Sequence, residues 1–291
     1  MRKSVLSGYV LNGRNPLSYL EWGRESGPTI IFLHGLSGYA YNWCSVAEPL
    51  AADYRCLSLD LRGHGDSGPS PEGEYTYELF VTDVQALIDG LGIETFALVG
   101  HSMGGRTAIA YAGTHPGRAS SIVVVDHAPN LPMEAALNIK RSFAAIPPEF
   151  DSWQAAIDYL REHSSKALSA EEIAEHAFYV FRPIRGGRAT WKLDPFVREE
   201  WLKDELPSRA TTDVWPELQK ITCPMLVVKG EVTYNLTAEL CEQMVQYGPD
   251  SSWVEIPGTS HFIVDDDPAA LVAELAPFLQ RTLARQEQRT N

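Results

Sequence analysis

Short apolar runs alternate with helical patterns along most of this chain. Runs of mainly apolar residues bounded by Gly, Pro or Asp predict buried strands at 29–35, 55–63, 96–102, 120–129, 225–231 and 252–258. Between two of these runs, residues 75–90 place Phe80, Val84 and Leu87 at helical spacing and end on Gly90, a favourable C-cap. Strands that alternate with helices build a parallel sheet, so the pattern predicts an α/β fold.

The alternation stops between residues 131 and 218. Helical patterns such as 152–163 and 170–181 occur there without strong strand runs, and the segment is rich in tryptophan. An aromatic insert between two strands of a sheet would lie over one sheet edge. We therefore predict an α/β core from residues 1–130 and 219–291, with 131–218 as a helical cap. A second domain with a task of its own is the alternative.

The composition is that of an ordinary globular protein. Of 291 residues, 44% are hydrophobic and 21% are charged, which is close to the average for soluble domains. The formal net charge is −14, from 24 Lys and Arg against 38 Asp and Glu. Because a field of that sign repels nucleic-acid phosphates and anionic lipids, we expect no nucleic-acid partner and no membrane partner.

The chain carries no obvious targeting signal. No run of eighteen apolar residues occurs, and the first twenty residues lack the apolar stretch of a secretory signal. The four cysteines form no C-x-x-C pair, so they indicate neither a disulfide framework nor a zinc site. These features favour a cytoplasmic protein with reduced thiols that acts on a small molecule. The oligomeric state stays open.

The strongest chemical signal is a G-x-S-x-G sequence at 100–104. It follows an apolar strand run and precedes a helical pattern, which is the context that a nucleophile elbow needs. Gly100 and Gly104 allow a sharp turn between strand and helix, with the hydroxyl of Ser102 exposed at the carboxyl edge of the sheet. We therefore predict that Ser102 is a nucleophile.

A serine hydroxyl needs a general base, and a carboxylate must orient that base. Among eight histidines, His261 follows the last strand run through a short loop near the C-terminus, where the order serine, acid, histidine puts the base. Two carboxylates satisfy this order. Asp126 ends the buried run 121–125 and has a short side chain suited to a fixed hydrogen bond, so we favour it. Glu231, one residue after Gly230, is the alternative acid.

Acyl transfer also requires N–H donors for the oxyanion of the tetrahedral intermediate. The residue after the nucleophile, Met103, offers one backbone N–H. The glycine-rich turn 34–38, which follows the first buried strand run, offers a second through Leu36. We predict that Leu36 and Met103 form the oxyanion hole.

With these residues assigned, the chain resembles the α/β-hydrolase superfamily over essentially its full length. The matching motifs are HGLSG (34–38), DLRGHGDS (60–67), GHSMGG (100–105) and PGTSHF (257–262). The resemblance implies a mostly parallel eight-stranded sheet, a cap and a Ser-His-acid triad. The family usually shows G-x-x-D after strand seven, where this chain has Thr233 and Tyr234 instead. Some branches take the acid from a D-x-A-P pattern after strand six, which Asp126 to Pro129 is similar to.

Two other patterns suggest different chemistry. Residues 63–68 match G-x-G-x-x-G, but Pro69 and Pro71 prevent a helix from opening there to receive a pyrophosphate. The predicted cap also carries a basic cluster of Arg182, Arg185, Arg188 and Lys192. This cluster could bind an anionic substrate, although a solvated loop is the simpler interpretation. No Walker or H-E-x-x-H motif occurs, so we expect no cofactor and no metal.

The leading hypothesis is a serine hydrolase that cleaves an ester, lactone or thioester. The tryptophans of the predicted cap favour a substrate with an apolar or aromatic part. Hydrolysis of a carbon–carbon bond or an amide by the same residues is an alternative hypothesis. A ligand-binding protein that keeps the fold but not the activity is a third, motivated by the missing aspartate after Gly230.

Overall fold

The computed structural model describes residues 5–163 and 168–290. Its strands are β1 (Leu6–Asn12), β2 (Asn15–Trp22), β3 (Thr29–Leu33), β4 (Arg55–Leu59), β5 (Phe96–His101), β6 (Ser121–Val125), β7 (Glu149–Phe150), β8 (Phe181–Pro183), β9 (Ala189–Trp191), β10 (Met225–Val232) and β11 (Ser252–Ser260). Its helices are α1 (Cys44–Leu50), α2 (Tyr77–Gly90), α3 (Met103–Thr114), α4 (Met133–Ala145), α5 (Trp153–His163), α6 (Ala170–Val180), α7 (Pro195–Leu202), α8 (Ser208–Thr211), α9 (Trp215–Leu218), α10 (Ala238–Met244), α11 (Ile263–Asp266) and α12 (Pro268–Thr290).

Eight strands of the described chain form one sheet in the order β1-β2-β4-β3-β5-β6-β10-β11. From β4 onwards neighbouring strands are parallel, which confirms the predicted α/β fold with a mostly parallel sheet. The strands β3, β4 and β6 are buried at every position, and β5 is buried except at His101, because helices cover both faces.

This strand order places the functional loops side by side. The register pairs His101 of β5 with Val125 of β6, and Val228 of β10 with the same Val125. The carboxyl ends of β5, β6, β10 and β11 therefore meet at one edge of the sheet. That edge is where a parallel α/β sheet binds its ligands.

The edge hairpin β1–β2 was not among the strand runs predicted from apolar patterns. The two strands pair antiparallel, from Leu6 opposite Glu21 to Asn12 opposite Asn15. Only Val10 of β1 is buried, while Leu6 and Leu11 are more than 60% exposed. An exposed edge strand needs no continuous apolar run, so the pattern that predicts buried strands does not detect it.

Segment 131–218 contains helices α4 to α9 and also a small antiparallel sheet in the order β7-β9-β8. The prediction of helices alone was therefore incomplete, because strands of two or three residues are too short to show an alternating pattern. The sheet is held by aromatic packing of Phe150, Phe181 and Trp191, whose ring centroids lie 4.7–5.7 Å apart.

The loop 60–68, which follows β4, packs against segment 131–218. The backbone N–H of Gly65 donates to the carbonyl of Lys192 at 2.8 Å, and that of Asp194 donates to the carbonyl of Gly63 at 2.7 Å. The ammonium of Lys192 also forms an ion pair of 2.7 Å with Asp66. Residues 63–68 therefore form a turn that contacts segment 131–218. A dinucleotide-binding loop would lead directly into a helix, which this turn does not.

Candidate active site

Ser102 lies at the turn between β5 and α3, in a strained backbone conformation with φ 52° and ψ −116°. A non-glycine residue adopts positive φ only where the surroundings enforce it. The neighbouring Gly104 lets the backbone of β3 approach this turn closely, because an added Cβ at Gly104 would lie 2.2 Å from the carbonyl oxygen of Leu33. The turn holds the hydroxyl of Ser102 at the edge of the sheet where the parallel strands have their carboxyl ends.

His261 bridges Ser102 and Asp126. Its Nε2 lies 3.1 Å from Oγ of Ser102, and its Nδ1 lies 2.8 Å from Oδ2 of Asp126. The three side chains come from the ends of β5, β6 and β11, which the strand order brings together. The Asp126 side chain is fully buried, whereas that of His261 is 17% exposed. A substrate can therefore reach the histidine and the serine, but not the carboxylate.

The loop after β10 supports the carboxylate of Asp126. The backbone N–H of Gly230 donates to Oδ1 at 3.0 Å, and the hydroxyl of Thr233 donates to Oδ2 at 2.7 Å. The backbone N–H of Asn235 in turn donates to the Thr233 hydroxyl at 3.1 Å. Thr233, which stands where the family usually has its acid, thus contacts an acid from the neighbouring strand.

The amide of Asn235 is a further contact of the histidine, 2.6 Å from Nδ1 of His261. The Asn235 atom at this distance is Nδ2, and Oδ2 of Asp126 faces the same ring nitrogen at 2.8 Å. Neither Thr233 nor Asn235 was predicted as a functional residue. The departure from G-x-x-D at this loop was the available signal.

The alternative acid, Glu231, is exposed and points elsewhere. Its carboxylate accepts a hydrogen bond of 2.6 Å from the backbone N–H of Gly258. Within the described residues no hydrogen bond joins it to His261. Glu231 therefore braces the loop that leads to the histidine.

Two histidines, His34 and His101, support the site. The Nε2–H of His101 donates to the carbonyl oxygen of His261 at 2.8 Å, and burial lowers the pKa of His101 to about 3. Nδ1–H of His34 donates to the carbonyl of Gly35 at 2.8 Å, while its Nε2 accepts from the N–H of Leu61 at 3.0 Å. Burial also lowers the pKa of His34 well below its usual value, so both rings act as neutral hydrogen-bonding groups.

Comparison with known proteins agrees with this fold. The sequence profile of the alpha/beta hydrolase fold family matches residues 28–268. The chain belongs to the α/β hydrolase family.

The relatives of this hydrolase are named for different substrates. It is 26% identical to a 2-(acetamidomethylene)succinate hydrolase of Mesorhizobium japonicum over 92% of each chain. It is 30% identical to an sn-1-specific diacylglycerol lipase of Mus musculus over 91% of this chain and 85% of the lipase. Among solved structures, an E-2-(acetamidomethylene)succinate hydrolase superposes with a TM-score of 0.82 at 25% identity, covering 95% of this chain and 100% of the other.

A cavity of about 500 Å³ opens onto Ser102 and His261 in this hydrolase. Leu36 and Met103, the predicted oxyanion residues, both line it beside the serine. Met103 begins α3, so the positive end of that helix also faces the site. Much of the remaining wall is apolar and comes from segment 131–218, including Leu131, Ile139, Phe143, Trp191 and Trp201.

Not every tryptophan of the predicted cap takes part in that wall. Trp153 packs edge-on against Phe181, and Trp215 packs edge-on against Tyr247, 6.3 Å between ring centroids. Of the predicted basic cluster, Lys192 lines the cavity, whereas Arg182, Arg185 and Arg188 are exposed.

The described residues contain no cluster of three or more His, Cys, Asp or Glu side chains that could hold a metal ion. No helix in ranges 5–163 and 168–290 combines the length and the apolar character needed to cross a membrane.

Proposed function

We propose that this protein is a serine hydrolase in which Ser102, His261 and Asp126 form the catalytic triad. The observation that carries the proposal is the continuous contact from Oγ of Ser102 through both ring nitrogens of His261 to the buried carboxylate of Asp126. Nucleophile, base and orienting acid need this arrangement to transfer an acyl group. It also favours an enzyme over a protein that only binds a ligand.

In this proposal Nε2 of His261 removes the hydroxyl proton as Oγ of Ser102 attacks the substrate carbonyl. Asp126 keeps the proton of His261 on Nδ1 and stabilises the imidazolium that forms. The backbone N–H groups of Leu36 and Met103 bind the oxyanion. His261 then protonates the leaving group, and the acyl-serine forms. Water, deprotonated by His261, releases the acid and regenerates Ser102.

The substrate class that we propose is a small ester, lactone or thioester with an apolar part. The apolar wall of the cavity supports this choice, since apolar groups of a ligand gain free energy by leaving water. The diacylglycerol lipase among the relatives acts on an ester, and it supports the same bond type. We also propose that the protein works in the cytoplasm on a free small molecule.

Amide hydrolysis is the second candidate activity. A relative that matches 92% of this chain is named for a compound that carries an acetamido group. The same three residues would perform the reaction, with His261 protonating a nitrogen leaving group.

Hydrolysis of 4-nitrophenyl esters, lactones and aryl amides tests the proposal, with Ser102→Ala as the blank. We expect turnover of at least one class by the wild type and none by the variant. The preferred bond would decide between esterase and amidase. Turnover that persists in Ser102→Ala would contradict the proposal.

A further inference from the structure

A buried arginine lies in the cavity wall one helical turn beyond the proposed nucleophile. Arg106 is 1% exposed, and its backbone N–H donates to the carbonyl of Ser102 at 3.1 Å. Residues four apart share one face of a helix, so the Arg106 side chain leaves α3 on the side of Ser102. The guanidinium lies 4.6 Å from the ring centroid of Tyr77, which also lines the cavity.

The charge of the cavity wall differs from that of the whole protein. Among the described residues that line the cavity, three are Lys or Arg (Arg106, Lys192 and Arg198), and one is an acid, Asp265. Lys192 forms an ion pair with Asp66, and Arg198 donates to the last carbonyls around the end of α4. A protein of net charge −14 therefore places cationic side chains around its proposed substrate.

A buried imidazole is a second polar group in this wall. His127 is 3% exposed and lines the same cavity, and within the described residues neither of its ring nitrogens has a hydrogen-bond partner. Burial, together with the charge of Arg106, lowers the pKa of His127 well below its usual value. The ring is therefore neutral and presents one N–H donor. A buried polar group without a partner costs free energy, unless a ligand supplies the missing contact.

These observations have a common explanation in the substrate. We propose that Arg106 and His127 form a subsite for a carboxylate, so that the preferred substrate is an ester or amide that also carries a carboxylate group. A guanidinium binds a carboxylate through parallel N–H bonds, and the buried imidazole adds a neutral donor. Burial away from water strengthens both contacts. The inference rests on the proposed function, and it adds the substrate class.

The test compares matched acids and amides. Mono-4-nitrophenyl esters of succinate, glutarate and adipate carry the carboxylate at increasing distance, and their terminal monoamides are neutral controls of the same shape. Without a subsite the anionic protein would disfavour the acids. We expect kcat/KM for at least one acid to exceed that of its amide about tenfold or more, the size of one hydrogen bond to a charged group. Buffer hydrolysis of each ester is subtracted.

Variants then identify the group responsible. Arg106→Gln should bring the acid-to-amide ratio close to one, and His127→Leu should lower it less. Lys192→Gln is the matched control, because it removes another cavity cation and leaves Arg106 and His127 in place. The ratio is measured within one protein sample, so a partly unfolded variant does not distort it. An acid-to-amide ratio that Arg106→Gln leaves unchanged would overturn the inference.

A binding measurement separates this inference from the proposed function. Calorimetry with adipate and glutarate on Ser102→Ala needs no turnover. We expect at least one to bind, and the double variant with Arg106→Gln to bind it at least tenfold more weakly. If no ester is hydrolysed but this difference appears, the proposed function fails while the subsite stands. If esters are hydrolysed but the dicarboxylates bind equally to both proteins or to neither, the subsite fails alone.

Discussion

The hydroxyl of Thr233 donates a hydrogen bond of 2.7 Å to Oδ2 of Asp126, so the loop after β10 supports a carboxylate carried by the end of β6. The same oxygen faces His261. In the usual family pattern this loop carries the acid itself. Here two neighbouring strands share the task, since one supplies the charge and the other positions it.

The position of the acid leads to the first prediction. Asp126→Asn should lower kcat by roughly 10³-fold or more, because an amide stabilises the wrong tautomer of His261 and does not stabilise its charged form. Steady-state kinetics on the preferred 4-nitrophenyl ester measure the effect. Glu231→Gln is the control and should remain within a few fold of the wild type. The opposite ranking of the two variants would transfer the role of acid to Glu231.

Thr233 leads to the second prediction. Thr233→Val removes the hydroxyl that contacts Asp126 and should lower kcat about tenfold, in line with a hydrogen bond to a charged group. Because Thr233 does not touch the substrate in this account, KM should change little. Thr233→Ser keeps the hydroxyl and should restore most of kcat. Equal loss in the Val and Ser variants would show that the hydroxyl is not the active feature.

Close packing of the nucleophile turn gives the third prediction. A Cβ added at Gly104 would lie 2.2 Å from a backbone oxygen, whereas at Gly105 the nearest contact would be 3.0 Å. Gly104→Ala should therefore destabilise the fold by about 3 kcal/mol and Gly105→Ala by about 1 kcal/mol. Urea unfolding measures both. Similar stability of the two variants would contradict the packing described for this turn.

Buried histidines give the fourth prediction, the response of stability to acid. Burial holds the pKa of His101 at about 3 and lowers that of His34 and His127 well below 6.5. Each group binds a proton more readily when unfolded. The stability from each is complete above pH 6.5 and is lost as pH falls from 6.5 towards the folded pKa.

One buried carboxyl opposes this trend. Burial raises the pKa of Asp60 to about 6, so this group favours the folded state increasingly as pH falls from 6 to 3.8. Four histidines against one carboxyl predict a net uptake of protons on unfolding near pH 5, because burial also lowers the pKa of His176; stability should therefore fall as the pH falls. Urea unfolding between pH 5 and 7.5 measures the slope of the unfolding free energy against pH. His101→Gln should lower the proton uptake that this slope reports by about one proton. A slope of zero or of opposite sign would contradict the prediction.

Much of the core could be predicted because its strands are buried on both faces. Continuous apolar runs such as 96–102 and 120–129 indicated β5 and β6 with errors only at their ends. The edge hairpin β1–β2 lacks such runs, and the short strands β7 to β9 lack any period. These elements depend on their neighbours more than on a pattern of their own.

The site divides in the same way. Ser102 and His261 stand in local contexts that a sequence can display, a glycine turn and a loop after the last strand. Asn235, Arg106 and His127 had no such context, because their contacts depend on how β6, β10 and α3 lie in space. Spatial neighbours distant in the chain leave no pattern in a single sequence.

The most direct test of the central claim is labelling of Ser102 by a fluorophosphonate. The reagent forms a stable adduct only with a serine that its own histidine activates, and mass spectrometry of the digested protein locates the adduct. We predict one adduct per chain on Ser102, with no labelling of Ser102→Ala and strongly slowed labelling of Asp126→Asn. A folded wild-type protein that stays unlabelled and hydrolyses no ester would contradict the account and favour a ligand-binding protein on this fold.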